Sequence, residues 1–307
     1  MELKVYYETG KMKCTFYIVD VFAQRRFSGN QLAVIINPSE LSDEQMQDIA
    51  REMHFSETTF VNSAISNDNH FSARIFTPEH EVPFAGHPVL GTAFVIREEI
   101  MERPSEMIIL DLKVGPVPVS YSQEIRRPSV YWMRQPIPVF GKTLDANEVA
   151  LSLSLPVDTI DTGLPVEEVS TGLPFIIVPL VSLRAVQSAK INTEIYNDLI
   201  AKTDAKAILF FSKETLHPDH TLHSRMFGPY YGVPEDPATG SASGCLAAYL
   251  LRHGYFEVWP DEILIEQGYE INRPSLIRCR AEERSGEVSV EVGGSVFQVA
   301  KGELIVK

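Results

Sequence analysis

The sequence predicts an α+β protein built from two similar domains. Three observations carry this. Strand-like and helix-like segments recur in the same order in both halves of the 307-residue chain. RIFTPEHEVP at 74–83 lines up with RMFGPYYGVP at 225–234, with five of ten residues identical at an offset of 151. After three inserted residues, AGHPVLGTA at 85–93 falls on TGSASGCLA at 239–247, at the head of a helix in each half. A segment repeated together with its neighbouring elements reads as an internal duplication. The length suits two domains of about 150 residues. The turn-rich stretch RQPIPVFG at 134–141 marks the boundary. This gives domains over 1–135 and 136–307, with the strands near 295–307 as candidates to pack back on the first.

In the first half, TFYIVDVF (15–22) reads as a strand, Ser28-Gly29-Asn30 as a turn and QLAVII as the next strand. LSDEQMQDIAREMH is a helix, because Ser42 and Gln45 have the spacing of a capping box. Met46, Ile49, Ala50 and Met53 fall on one helical face. TTFV and HFSARIFTP (70–78) are strands, HPVLGTAFVIREE a helix, and further strands fill roughly 106–134. In the second half, strands are expected near 166–181, 206–212 and 221–227, with a helix around 193–202. SASGCLAAYLLRHG is a helix closed by Gly254. Strands then run from 262 to the end. The helices VLGTAFVI and CLAAYLL are apolar on nearly all sides, which predicts that each lies inside its own domain.

Composition excludes several functions. Hydrophobic residues make up 44% and the net charge is -14, so the chain is globular and has no electrostatic means of gripping nucleic acid or anionic lipid. The N-terminal MELKVYYETGKMK lacks the apolar core of a signal peptide. Apolar runs such as FIIVPLVSL are far too short to span a membrane. Cys14, Cys245 and Cys279 make neither a disulfide framework nor a metal-ligand pattern, so a reducing, cytoplasmic compartment is expected.

The chemistry centres on the two duplicated loops. In each half a strand, a proline-containing loop and a glycine lead into a helix: Gly86-His87 and Gly240-Ser241. Free amides at a helix start bind anions, and glycine allows close approach. If the duplicates face each other, both starts converge on one cleft suited to a carboxylate. Glu57, His87 and Asp236 are the ionisable candidates. Alone, Glu57 reads as a solvated loop carboxylate, His87 as a structural histidine and Asp236 as a turn residue. Their placement around the two loops is what singles them out. A helix N-terminus should lower the pKa of His87 and leave a neutral imidazole for proton transfer.

Other patterns fail. His217, His220 and His223 repeat every third residue, but Pro218 breaks a helical presentation, so no metal is expected. GSASG does not fit G-x-S-x-G, and Asp161-Thr162-Gly163 lacks a second Asp in its sister Ser170-Thr171-Gly172. No dinucleotide fingerprint or P-loop is present.

From about Thr15 onward the chain resembles the phenazine-biosynthesis isomerase-like (PhzF-like) family, related in fold to diaminopimelate epimerase. The resemblance is carried by FSGNQLAVI (27–35), FSETTFV (55–61), PFAGHPVLGTA (83–93) and EDPATGSASG (235–244), in this order and spacing. It implies two pseudo-symmetric α+β domains, each a curved, mostly antiparallel sheet or barrel around a central helix. It also implies a cleft site, a homodimer and no cofactor. The implied reaction is isomerisation of a small unsaturated carboxylic acid such as trans-2,3-dihydro-3-hydroxyanthranilate. Glu57 matches the family's acid/base, and His87 and Asp236 match its partners. Gly86, Gly240 and Ser241 match positions around the substrate. Racemising relatives carry a cysteine before each helix, where this chain has Ala85 and Thr239, which speaks against two-base epimerisation. The other alternative is a non-catalytic protein that holds a small anion on the same fold.

Overall fold

In the computed structural model, residues 12–38, 41–62, 69–123 and 128–306 are described. The segment 1–11, part of the stretch read above as lacking the apolar core of a signal peptide, lies outside them.

The first half contains β1 (Met12–Val21), β2 (Asn30–Ile36), α1 (Asp43–Met53), β3 (Glu57–Val61), β4 (His70–Phe76) and β5 (Glu81–Val82). It continues with α2 (Gly86–Val95), β6 (Met107–Leu112), β7 (Gly115–Ser122) and β8 (Val130–Arg134). The second half contains β9 (Val139–Thr143), α3 (Ala146–Ser152), β10 (Glu167–Ser170), β11 (Pro174–Pro179), α4 (Leu183–Ser188), α5 (Thr193–Ile200) and β12 (Ala207–Ser212). It ends with β13 (Leu222–Phe227), α6 (Gly240–Arg252), β14 (Ile263–Gln267), β15 (Ser275–Arg284), β16 (Glu287–Gly294) and β17 (Val296–Val306).

Strand pairing repeats from half to half. β1–β2, β3–β4, β6–β7 and β7–β8 are antiparallel, whereas β2–β3 and β4–β6 are parallel. The series β10 to β16 has the same signs: β11–β12 and β13–β14 are parallel and the other neighbours antiparallel. β17 flanks β1 as β9 flanks β10, both antiparallel. β8 and β16 join the two sets.

The repeated segment keeps its register as well. Arg74 lies opposite Phe60, and Arg225 opposite Phe210. Each arginine makes a two-point fork with a glutamate further along the chain, Glu81 of β5 and Glu235 of the loop before α6, at 2.7–2.9 Å. Forks of this kind fix geometry as well as charge. The two matching arginines of the repeated segment therefore tie down the stretches that lead into α2 and α6.

Local chemistry explains the elements. Ser42 accepts from the Gln45 amide at 3.2 Å, and the Gln45 side chain accepts from the Ser42 amide at 2.9 Å, the reciprocal box expected at the start of α1. Met46 and Ala50 are buried, and Ile49 and Met53 pack partly buried beside them. Gly29 turns the chain with φ +73°, a left-handed conformation that glycine adopts freely. Gly254 likewise follows α6 with φ +59°.

α2 and α6 lie in one apolar core wrapped by both sets of strands. Every residue of α2 except Phe94 is buried, as is the run Ala242–Leu250 of α6. Their all-round apolar character is thus used as expected. The chain differs from expectation at two places. α3 and α4, short helices capped by Asp145 and Ser182, were not anticipated. The boundary stretch 134–141 is also not simply a linker. Gln135 is buried, donating to Gly240 O at 3.1 Å and accepting from Thr171 at 2.6 Å, and β9 starts at Val139.

Gln135 sits where α6 offers no side chain. A Cβ on Gly244 would come within 1.9 Å of Gln135 Oε1. Gly244→Ala is therefore expected to expel that amide and lower stability by about 1–3 kcal/mol, the usual cost of overpacking. Urea unfolding measures it, and an unchanged midpoint would count against the wedge.

Candidate active site

The starts of α2 and α6 meet. A Cβ on Gly86 would lie 3.5 Å from the Ser241 amide nitrogen and 3.9 Å from Gly240 C. Neither helix has a side-chain cap: its N-cap residue is Ala85 in one and Thr239 in the other. Two uncapped positive helix ends thus face one place, as anticipated for an anion site. Gly86 and Gly240 are buried and Ser241 half-buried.

Glu57 opens β3, opposite Leu32 of β2. Its side chain is 19% exposed, but its Oε2 atom is buried and has no hydrogen-bond partner. That oxygen lies 3.5 Å from His87 Nε2, which is buried and unpartnered as well. Burial, and secondarily the Asp236 charge, pushes the Glu57 carboxyl up to about 8. Burial pulls His87 down to about 3, against a hydrogen bond to the Gln31 backbone. A neutral imidazole was expected from the helix start; desolvation is the larger cause. Asp236 is buried, and burial raises it to about 6 against hydrogen bonds from Thr239 and Asn30. The three sequence-predicted ionisable residues are therefore brought together.

Sequence reasoning missed the residues that hold Asp236. Asn30 donates to Asp236 Oδ1 at 2.9 Å and the Thr239 hydroxyl donates to Oδ2 at 2.6 Å. Gln267 bonds to the Asp236 carbonyl and to Thr239. The available signal was a polar residue at the end of an apolar strand: Asn30 before QLAVII, and Gln267 closing ILIEQ.

The two halves are chemically unequal here. By strand register, Ala207 of β12 occupies the place that Glu57 holds in β3. By the helix-start alignment, Ser241 corresponds to His87, while Asp236 lies in the stretch 235–238 that carries the three inserted residues. The pseudo-symmetric frame thus presents one Glu–His–Asp set. A surface hollow of about 370 Å³ is lined by Arg225 and Glu235 but by none of the three.

A family described as phenazine biosynthesis-like protein matches residues 19–302. The chain belongs to the phenazine biosynthesis-like family. It is 37% identical over 295 residues to trans-2,3-dihydro-3-hydroxyanthranilate isomerase of Pseudomonas aeruginosa, covering 94% of this chain and 98% of that one. A phenazine biosynthesis protein of the PhzF family from Bacillus anthracis superposes with a TM-score of 0.88 at 27% identity, covering 96% of this chain and all of that one. A probable proline racemase from Agrobacterium radiobacter shares the fold alone, with a TM-score of 0.63 at 12% identity over 96% of this chain and 93% of that one. The phenazine biosynthesis-like family places this enzyme among the isomerases, and its two-domain α+β fold is that of the epimerase-like proteins.

The histidine cluster has a different use. His220 Nδ1 and His223 Nδ1 both address the fully buried Glu266, at 2.8 and 2.7 Å, and His223 Nε2 meets Glu270 at 3.0 Å. These nitrogens face carboxylates within an ion network. Among the described residues, no helix is long and apolar enough to cross a membrane.

Cys245 lies a turn inside α6, near Thr171 Oγ1 at 3.4 Å, and burial pushes its thiol up to about 12. A thiol held neutral is a poor base. Cys245→Ala is expected to retain most of the enzyme's turnover while melting at a lower temperature. Loss of turnover in a folded Cys245→Ala protein would move the chemistry to the thiol.

Proposed function

We propose that the phenazine biosynthesis-like enzyme moves a proton within a small unsaturated carboxylic acid, by cofactor-independent acid/base catalysis through the Glu57 carboxyl. The observation that carries this reading is the buried, unpartnered Glu57 Oε2 beside a neutral His87 and the Asp236 carboxyl. A carboxyl with a pKa near neutrality both accepts and returns a proton at useful rates. The uncapped helix starts at Gly86 and Gly240, with Ser241, bind the substrate carboxylate. Burial of the oxygen strengthens each of these interactions.

The proton leaves one carbon of the substrate for Glu57, and Glu57 returns it to another carbon of the conjugated system. No net electron transfer is involved. His87 and Asp236 contact polar groups of the substrate and set the charge around Glu57. Ala85 and Thr239 at the two N-caps, and Ala207 opposite Glu57 in the frame, favour one acid/base over a two-base epimerase. The relative from Pseudomonas aeruginosa makes a trans-2,3-dihydro-3-hydroxyanthranilate-like acid the first substrate to try. The further assignment is a cytoplasmic homodimer of two-domain subunits, divided at 135/136 with β17 packed on the first domain. It binds neither nucleic acid nor membrane, in keeping with the net charge of -14.

The test is a panel of unsaturated carboxylic acids, this compound included, incubated with the enzyme in heavy water. Deuterium entering the product at carbon, or a shifted double bond, is the expected result. An enzyme that binds such acids but exchanges none of their protons is the anion-binding alternative.

A further inference from the structure

We propose that Asn30, Thr239 and Gln267 are positioning residues that keep the negative charge of the Glu57–Asp236 pair on Asp236 and its proton on Glu57. The proposal rests on the reading of Glu57 as the acid/base. Two buried carboxyls that feel each other do not ionise together easily, so over a range of pH they carry one charge between them. Which of them carries it depends on who receives hydrogen bonds, because donors favour the ionised form.

The direction of every bond around Asp236 follows from groups that have no choice. The Thr239 backbone N–H can only donate, and it donates to Gln267 Oε1 at 3.1 Å. That turns Gln267 Nε2 toward the Asp236 carbonyl at 2.8 Å and the Thr239 hydroxyl oxygen at 3.0 Å. With Gln267 donating to it, the Thr239 hydroxyl directs its own proton to Asp236 Oδ2 at 2.6 Å. Asn30 is fixed in the same manner. Its Nδ2 also faces the Ala238 carbonyl at 3.0 Å, an acceptor only, so it is the amide and not the carbonyl that meets Asp236 Oδ1 at 2.9 Å. Both oxygens of Asp236 thus face donors.

Glu57 has the opposite surroundings. Its Oε2 is buried with no donor, and it faces His87 Nε2 at 3.5 Å. Nε2 has no hydrogen-bond partner, and burial keeps the His87 imidazole neutral. A neutral imidazole and the lack of any donor to Oε2 leave nothing there to favour the ionised carboxylate. Charges on the surrounding elements are already paired. Arg225 is forked to Glu235, Arg273 is bonded to Asp20, and Glu266, next to Gln267 on β14, is taken up by His220 and His223. On α2 the titratable group is His87; α6 carries the neutral Cys245 thiol, Tyr249, which donates to the Pro165 carbonyl, and Arg252 in its last turn.

The test is carbon-13 NMR titration of the carboxyl signals of the full-length protein, assigned with Glu57→Gln and Asp236→Asn. Asp236 is expected to ionise before Glu57. In Thr239→Val the order should move toward reversal, Asp236 rising and Glu57 falling by about one pH unit, the scale of a lost hydrogen bond to a buried carboxylate. Thr239→Ser restores the hydroxyl and should restore both midpoints. Asn30→Ala should act as Thr239→Val does, and serves where the valine variant fails to fold. The limb of the kcat/KM profile that reports Glu57 should shift to lower pH in step. Ionisation of Glu57 before Asp236 in the unaltered protein overturns the proposal, as do unmoved midpoints in a folded variant. Failure of the acid/base reading is read separately: Glu57→Gln would then keep its turnover whatever the titration order.

Discussion

Glu57→Gln is expected to lower turnover by on the order of 10²-fold or more while the protein still folds and binds its acid, the low end of what one positioned acid/base contributes. Glutamine keeps the shape of the side chain and removes the titrating oxygen. The oxygen replaced is buried and unpartnered, so the loss falls on proton transfer and not on a scaffold bond. A drop in kcat with little change in KM would mark an interaction made in the transition state. The pH profile gives a second handle. A base must be ionised, and Glu57 is held up to about 8, so kcat/KM should rise with pH and level off above that value. Asp236, at about 6, is ionised through most of this rise. A folded Glu57→Gln protein with unaltered turnover would falsify the assignment.

The largest effect on stability is expected at Glu266. This carboxylate is fully buried and accepts from His220, His223 and the amides of Leu216 and His217, at 2.7–2.8 Å. Removing one partner of a buried ion network leaves the others uncompensated, at a cost of about 3–5 kcal/mol. Glu266→Gln should therefore unfold at markedly lower urea concentration. The difference should depend on pH. Burial alone would raise Glu266, but hydrogen bonds from His223, Leu216, His220 and His217 outweigh it and hold the carboxyl at about 2. A lowered acid contributes stability above its ordinary value of 4.5, and loses it as pH falls toward about 2. Burial disfavours charge on His223, yet bonds to Glu266 and Glu270 raise it above its ordinary 6.5. That contribution is complete below 6.5 and fades as pH rises through the raised value. The gap between native and variant should be widest between these two ordinary values. A gap under about 1 kcal/mol there would mean that the network is replaceable.

Much of the scaffold was legible in the chain because its signals are local. The capping box at Ser42 and Gln45 involves neighbours in sequence, and it forms as written. The all-round apolar helices could only be buried, and they are. The repeat at 74–83 and 225–234 was legible as letters. Its meaning was not: the forks from Arg74 to Glu81 and from Arg225 to Glu235 depend on loops whose lengths differ by the three inserted residues. α3 and α4 escaped notice because each is short, with too few turns to display a periodicity.

The sequence by itself determined the two-fold duplication, the strand–loop–glycine–helix grammar and the identities of Glu57, His87 and Asp236, since these are properties of residue type and order. The tertiary structure alone decided that both helix starts meet and that Gln135 of the boundary stretch wedges against α6. It also decided that Asn30 and Gln267, 206 and 31 residues from Asp236, bond to that residue. It turned His220 and His223 into an ion network around Glu266, to which His217 adds its backbone amide. The reason is physical. Backbone capping and amphipathic burial act between near neighbours, whereas desolvation and the hydrogen bonding of a buried carboxylate depend on which distant strands close over it. The same Glu57 is an ordinary loop acid in an open chain, and it becomes a group titrating at about 8 only when β3, α2 and the Asp236 loop exclude water from one of its oxygens.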